Sequence, residues 1–435
     1  MLRNLDLADS LTEARDTYAA ARPHARATHE AARAHLPGGN TRTVLWHGPF
    51  PLRAARGEGP YLWDTDGHRY VNLLGEYTAG VFGHSHPVIA AALHEAIGTG
   101  LNLGAHNEAE AELAHHVTAR FPAMERVRFT NSGTEANLMA VSTARAATGR
   151  AGVMVFRGGY HGGLLYFGNG DSAVNAPFDF TLGTFNDAEG SIRAIRAAGE
   201  RLACVLVEPM LGSGGCIPAE PGFLAALRAA TDETGALLIL DEVMTSRFGP
   251  HGAGALAGVT PDLMTLGKWV GGGMSFGAFG GRADLMDLFD PARPGALPHA
   301  GTFNNNVLSM KAGIAALTRV FTPAEAEALH ARGEALRDRL NGLFAEAGVA
   351  LHASGAGSLM TIHGVAGPVR RVADIAASND GARELLFLDL LERGFYIARR
   401  GFIALSLALE DAHLDGFGGA VEAIVRERKA ALCGT

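Results

Sequence analysis

Lysine is nearly absent from this chain. Of 37 basic residues only Lys268, Lys311 and Lys429 are lysines, the other 34 being arginine. Trp269, Ala312 and Ala430 follow the three lysines, so no Gly-x-x-x-x-Gly-Lys-[Ser/Thr] loop exists and a P-loop nucleotide hydrolase is excluded. Cysteine is as scarce. Cys204, Cys216 and Cys433 form an odd set without Cys-x-x-Cys spacing, which gives neither a disulfide framework nor a zinc site. A reduced, cytoplasmic protein with no metal is expected. No 18 uncharged apolar residues run together, so no transmembrane helix is expected. The opening MLRNLDLADSLTEARDTY mixes charges without an apolar stretch, so no secretory signal is expected either. Basic excess is missing: the net charge is −8, a poor match for nucleic acid or an anionic membrane. The 57 glycines follow no Gly-X-Y period, which excludes collagen. They cluster between apolar runs, as loops that approach a ligand closely require.

What is present is ordinary globular material, 47% hydrophobic and 19% charged. A chain of 435 residues suits two or three domains, or one large α/β domain with an appendage. Residues 10–36 predict a helix ending before Pro37, and residues 60–73 a hairpin turning at Asp66 and Gly67. From about residue 88 to 290 short apolar runs alternate with helical patterns. VRFT (127–130) precedes a helix through Ala147, and GVMVF (152–156) and ACVLVEP (203–209) follow. ALLILDEV (236–243) comes after a helix over 222–234, and DLMTLGK (262–268) precedes a glycine-rich run. Apolar strands separated by helices predict an α/β fold with a mostly parallel sheet covered on both faces. From about residue 309 longer helices (310–319, 323–346, 380–393 and 414–432) surround short strands such as SLMTIH and FIALSL, predicting a smaller α+β domain. The expected division is an N-terminal segment over 1–69, a large domain over 70–308 and a small domain over 309–435.

Three positions carry chemistry. Asp241 follows Ala-Leu-Leu-Ile-Leu, at the carboxyl end of an expected central strand, where α/β sheets bind ligands. A carboxylate among apolar residues needs a cation or hydrogen-bond donors. The four apolar residues before Asp-Glu also fit a Walker B magnesium site, but the missing P-loop removes that reading; a helix cap or a structural salt bridge stays open. Asn131-Ser132-Gly133-Thr134-Glu135 sits between a strand and an alanine-rich helix. Free N–H groups with hydroxyls and a glycine suit a phosphate dianion, while Ser132 and Glu135 also fit a capping box. Residues 271–281, GGGMSFGAFGG, lack the Gly-x-Gly-x-x-Gly of a nicotinamide site. Lys268 stands at a strand end amid apolar residues, where its pKa is expected to fall and its amine could form a Schiff base with an aldehyde. A phosphate nest, a carboxylate seeking a cation and a buried lysine are together what pyridoxal phosphate needs.

With those residues in view, the chain resembles the class III, fold-type I pyridoxal-phosphate aminotransferases, a family related to the glutamate-1-semialdehyde aminomutases. The matching motifs run through nearly the whole chain: NSGTEAN (131–137), GGYHG (158–162), VEPM (207–210), LILDEVMT (238–245), TLGK (265–268) and GTFNNN (301–306). PGGNTRTVL (37–45), EYTAGVFGHS (76–85), DEVMTSR (241–247), GGGMSFGAFGGR (271–282) and RGFIALSL (400–407) resemble the β-phenylalanine aminotransferase branch. Many class III enzymes continue Asp-Glu-Val with x-Thr-Gly-Phe-Gly. Here Ser246 and Arg247 follow Thr245, which argues against ω-amine substrates.

The resemblance implies a large domain that binds pyridoxal phosphate, with residues 1–69 joining the small domain as part of an active-site lid. It implies that Ser132, Gly133 and Thr134 hold the phosphate, that Tyr160 stacks on one ring face and that Val243 packs on the other. Asp241 would pair the ring nitrogen, and Lys268 would be the Schiff-base lysine and proton shuttle. Thr302 would reach the phosphate of the neighbouring subunit, making an obligate homodimer with shared active sites. Arg42 and the mobile Arg400 would bind carboxylates, and Tyr77 would line the substrate pocket. The implied activity moves the amino group of a β-amino acid, of the aromatic kind, to a 2-oxo acid such as 2-oxoglutarate or pyruvate. The rivals are a 2,1-aminomutase, which needs no second substrate, and a catalytically silent pyridoxal-phosphate-binding protein. His84 and His86 read as structural, His161 as a satisfied loop histidine, and Arg399 as solvent-facing, because neighbours on a strand point to opposite faces.

Overall fold

Apolar strands with helices between them build the larger of two compact units, Pro87–His330 with Arg370–Val372. The structure, a computed structural model, describes residues 6–168 and 170–433. Seven strands form the unit's sheet in the spatial order Arg126–Thr130, Gly277–Gly281, Leu263–Gly267, Leu237–Asp241, Leu202–Val207, Gly152–Phe156 and Asp179–Gly183. Neighbours run parallel except Gly277–Gly281, which is antiparallel to both of its partners. The strands over 152–156, 202–207, 237–241 and 263–267 are buried at every residue, as a sheet covered on both faces demands. Ala136, Ala140, Val141 and Ala144 of the Gly133–Thr148 helix pack with Val155, Leu206, Ile239 and Phe279 in one core. The larger unit is thus α/β with a mostly parallel sheet, as the alternation of apolar strands and helices predicts.

The glycine-rich run after Lys268 contains a strand that its composition conceals. A Cβ at Gly277 would lie 2.1 Å from the carbonyl oxygen of Ser132, so only glycine lets this strand come so close to the turn before the Gly133–Thr148 helix.

The second unit gathers Met1–His86, Ala331–Val369 and Ala373–Thr435. Its four-stranded sheet joins Ala54–Glu58, Tyr61–Asp64 and Arg69–Asn72 antiparallel, with Phe395–Tyr396 parallel to the last. Asp64 Oδ1 accepts from the N–H groups of Asp66 (3.0 Å) and His68 (2.8 Å), which sets the hairpin turn. A second sheet joins His352–Ala356, Leu359–His363 and Phe402–Ala404.

The single helix expected over 10–36 is two, Leu7–Ala21 and Pro23–Ala32. Pro23 disfavours helical geometry at Arg22, which sits at φ −128°, ψ 56°. The buried Arg22 guanidinium instead bonds Tyr70 Oη at 2.9 Å and Glu392 Oε1 at 2.7 Å. The unit bounds also differ from the expected 69/70 and 308/309. Residues 70–86 stay with the N-terminal strands because Arg69–Asn72 completes their sheet. Residues 309–330 stay with the larger unit because Val307–Ala315 packs on its Pro87–Thr99 and Glu108–Arg120 helices.

Candidate active site

Six parallel strands of the larger unit end along one edge, and Asn131, Glu208, Asp241 and Lys268 lie at or just past four of those ends. Asp241 closes its strand and is 4% exposed, yet it is well supplied with donors. Its Oδ2 lies 2.8 Å from Asn137 Nδ2 and 2.8 Å from His161 Nδ1. Its Oδ1 accepts from the Val243 N–H at 3.0 Å and, more loosely, from Thr265 Oγ1 at 3.4 Å. An ionised carboxylate only accepts, so His161 Nδ1 carries the hydrogen. Asn137 is held in turn by giving a bond to the His161 carbonyl (3.1 Å) and accepting one from Thr265 Oγ1 (2.8 Å). The loop histidine expected at 161 is therefore a buried ligand of Asp241.

Lys268 is the first residue beyond the adjacent Leu263–Gly267 strand, whose Thr265 pairs in register with Asp241. It is partly buried and sits at φ +56°. A left-handed lysine costs on the order of 1 kcal/mol or more and persists only where its neighbours impose it. Here the neighbour is Trp269, fully buried, with its indole N–H on Ser246 Oγ at 2.9 Å.

At the start of the Gly133–Thr148 helix Ser132 accepts from the Glu135 N–H (3.2 Å), and Glu135 Oε2 accepts from the Asn131 N–H (2.8 Å). Capping is thus real, but it leaves the first-turn N–H groups of Gly133 and Thr134 without an intrahelical acceptor. Together with the hydroxyls of Ser132 and Thr134 they make a donor set for a dianion at the positive end of a 16-residue helix. A Cβ at Gly133 would lie 2.9 Å from both Val243 methyls, so glycine keeps the space over Val243 open. These residues fit a phosphorylated pyridine aldehyde: donors for the phosphate, a fixed anion for the ring nitrogen, and a lysine for the aldehyde.

Tyr160 is 41% exposed and meets Tyr166 edge to face at 5.7 Å. Its N–H donates to Glu208 Oε1 at 3.0 Å, and the Gly212 N–H donates to Oε2 at 2.9 Å. Burial pushes the Glu208 carboxyl up to about 7, with His161 opposing and Asp241 adding to the shift. Thr302 is exposed in the 301–304 turn, which is tied to the turn before the Gly133–Thr148 helix by Asn131 Nδ2 on Asn304 Oδ1 at 2.9 Å. Asn137, Glu208 and Thr265 lie inside the NSGTEAN, VEPM and TLGK motifs, but nothing local in the sequence marks them as partners of the site.

Arg42, Tyr77 and Arg400 belong to the smaller unit, which brings the three together. The guanidinium carbons of Arg42 and Arg400 each lie 5.5 Å from the Tyr77 ring centroid. Tyr77 stacks on Phe402 at 5.6 Å and 9°, and its hydroxyl donates to the Val44 carbonyl at 3.2 Å. Arg399 is not solvent-facing: it is half-buried, paired with Asp380 Oδ2 (2.6 Å) and Glu384 Oε2 (2.7 Å). Strand alternation does not govern it, because residues 398–401 form a tight turn closed by the Gly401 N–H on the Ala398 carbonyl at 2.8 Å. His84 is held by Glu76 Oε1 (2.9 Å) and Asn72 Nδ2 (2.8 Å).

The chain matches the family model described as aminotransferase class-III over residues 44–424. It is 52% identical over 423 residues to a β-phenylalanine transaminase of Variovorax paradoxus, covering 97% of each chain. A crystal structure of a β-phenylalanine aminotransferase from the same organism superposes with a TM-score of 0.96 at 52% identity, covering 98% of this chain and 99% of that one. A transaminase solved with pyridoxal phosphate bound superposes with a TM-score of 0.86 at 33% identity, covering 93% and 97%. Similarity of this extent, over a site built for that cofactor, makes the chain a member of the class III aminotransferases, a pyridoxal-phosphate-dependent aminotransferase of fold type I.

Proposed function

We propose that this aminotransferase moves the amino group of an aromatic β-amino acid, of the β-phenylalanine kind, to a 2-oxo acid such as 2-oxoglutarate or pyruvate. The observation that carries the reading is the pair of guanidiniums, Arg42 and Arg400, converging on the aromatic Tyr77–Phe402 stack. Two cations beside an aromatic surface suit both a dicarboxylic acceptor and an aromatic donor. The 52% identity to a β-phenylalanine transaminase supports the same substrate class.

When bound, pyridoxal phosphate supplies an aldehyde for the amino group and a pyridine ring that draws electrons from the amine-bearing carbon. The chain's residues do the rest. Ser132, Gly133 and Thr134 would hold the phosphate, and Tyr160 and Val243 would pack against the ring. Asp241 would keep the ring nitrogen protonated, with His161, Asn137 and Thr265 keeping Asp241 aimed. Lys268 would take the aldehyde on its amine and serve as the base toward the amine-bearing carbon. Arg42 grips the carboxylate that donor and acceptor share, with two parallel hydrogen bonds. Arg400 takes the second carboxylate of 2-oxoglutarate and moves aside for an aromatic side chain. Thr302 completes the phosphate site of a neighbouring subunit, so the working enzyme is a homodimer; the exposed Phe303 beside it, 59% accessible, supports a covered surface there. The three free cysteines support a reduced compartment, the cytoplasm.

An amine-donor screen with 2-oxoglutarate and pyruvate as acceptors tests the reading. Amino acid formed from the acceptor in proportion to an aromatic β-amino acid consumed is the expected result. Isomerised product without any added acceptor would mean an aminomutase, and no spectral response to any amine a silent carrier.

A further inference from the structure

Four successive residues of the Gly75–Thr78 turn lie in the left-handed region: Gly75 at φ 51°, Glu76 at 49°, Tyr77 at 52° and Thr78 at 81°. Residues other than glycine visit this region singly, so a run of three marks a conformation that the surroundings impose. The bonds that impose it are visible. Asn72 Oδ1 accepts from the N–H groups of Leu74 (2.9 Å) and Gly75 (3.3 Å). Glu76 Oε1 meets His84 Nδ1 at 2.9 Å. The Leu73 carbonyl accepts from the Ala404 N–H at 2.8 Å, which locks the turn to the strand carrying Phe402.

The product of that constraint is one aromatic surface, Tyr77 stacked nearly parallel on the fully buried Phe402. Its occupant in the structure is a guanidinium. Arg400 lies 5.5 Å from the Tyr77 centroid and 5.2 Å from that of Phe402, so it spans both rings. Arg42 approaches the Tyr77 ring at the same 5.5 Å, and the Tyr77 hydroxyl separately ties down the Thr43–Leu45 turn just after it. Burial raises the Tyr77 phenol, against the lowering pull of the Arg400 and Arg42 guanidiniums beside it.

A ring face attracts a guanidinium and another aromatic ring by comparable amounts. We propose that the Tyr77–Phe402 stack is a shared platform and Tyr77 a specificity-determining residue: the stack seats Arg400 when a dicarboxylic acceptor binds, and the donor's aromatic side chain when Arg400 leaves. This rests on the β-amino-acid reading above and deepens it. The platform exchanges one π-contact for another, so neither substrate half leaves the surface bare. It also separates the two arginines. Arg42 serves a carboxylate common to all substrates, so any weakening of its own contact with Tyr77 cancels when two acceptors, or two donors, are compared.

The test uses the holoenzyme with Tyr77→Phe, Tyr77→Leu and Phe402→Leu, leucine being unbranched at Cβ and no more strained than tyrosine at a left-handed position. For each, kcat/KM is measured for 2-oxoglutarate against pyruvate, and for β-phenylalanine against 3-aminobutyrate. Tyr77→Leu is expected to lower both ratios, by about two- to thirtyfold for the acceptors and two- to tenfold for the donors. Phe402→Leu should shift both the same way. Tyr77→Phe keeps the ring and should leave both ratios within about twofold, whatever it does to the absolute rates through the lost Val44 bond. Ratios unmoved in both leucine variants, or moved as far in Tyr77→Phe, overturn the platform, since a merely structural role depresses all four substrates together. A wild-type enzyme that accepts no β-amino acid overturns the proposed function instead, and the acceptor ratio, read with an accepted amine, still decides the platform.

Discussion

His161→Leu removes one of the two side chains that hold Asp241 Oδ2, and the cost can be worked from the contacts. Asp241 is buried, so water does not replace the lost donor. Among the described residues Oδ2 keeps only Asn137 at 2.8 Å, while Oδ1 keeps Val243 at 3.0 Å and the long Thr265 contact at 3.4 Å. A hydrogen bond to a charged group contributes roughly 1.5–3 kcal/mol, and about 1.4 kcal/mol is a factor of ten. Where that bond steadies the carboxylate opposite the ring nitrogen, kcat/KM should fall about 10- to 100-fold. Leucine fills most of the imidazole's volume, so packing loss is small by comparison. His161→Asn separates the two effects, because its amide nitrogen can occupy the place of Nδ1, and it should recover much of the loss. The assay pairs steady-state kinetics with titration of the apoenzyme by pyridoxal phosphate, read from visible absorption. A leucine variant within about twofold of wild type in both, or an asparagine variant as impaired as leucine, would refute the reasoning.

Lys268→Ala should fold, bind the cofactor without the visible band of the lysine-bound form, and lose turnover; a normal band and rate would remove Lys268 from its role. Arg400→Ala should raise KM for 2-oxoglutarate far more than for pyruvate or the β-amino acid, whereas Arg42→Ala should damage both halves of the cycle. Equal losses for both acceptors in the Arg400 variant would count against a mobile cation. Glu242 is buried and accepts from the N–H groups of Ala253 (2.7 Å) and Gly254 (2.8 Å); burial raises its pKa from 4.5 to about 7. The folded protein therefore holds a proton that the unfolded chain releases, and this contribution, roughly 3 kcal/mol in full, is present below pH 4.5 and lost as pH rises through about 7. Thermal melts of Glu242→Gln should decline less between pH 5 and 7 than those of wild type, and parallel curves would contradict the assignment.

The parallel strands of the larger unit are legible in the sequence because burial on both faces writes a continuous apolar run. The Gly277–Gly281 strand is not, since the close approach that demands glycine also erases the apolar signal. Asp241 and Lys268 stand out because a polar residue directly after an apolar strand has few bland explanations. Their support does not, because it closes through space: Asn137 and His161 reach Asp241 across 104 and 80 residues of chain. A histidine in a glycine-rich loop carries no local mark of the carboxylate it will meet. Arg399 fails for a related reason: alternation applies only inside a strand, and the strand begins at Phe402. Tyr77 shows the same limit from the other side, as nothing in EYTAG announces three left-handed residues in a row.

The account's central claim is amino transfer from a β-amino acid to a separate acceptor. The direct measurement incubates the purified holoenzyme with β-phenylalanine, first alone and then with 2-oxoglutarate, following the cofactor's visible absorption and the products. The donor alone should bleach the visible band in one turnover and release one equivalent of the 3-oxo acid. Added 2-oxoglutarate should restore the band and yield glutamate in equal amount. A band that β-phenylalanine leaves unchanged, or product that accumulates catalytically before any 2-oxo acid is added, would contradict the account.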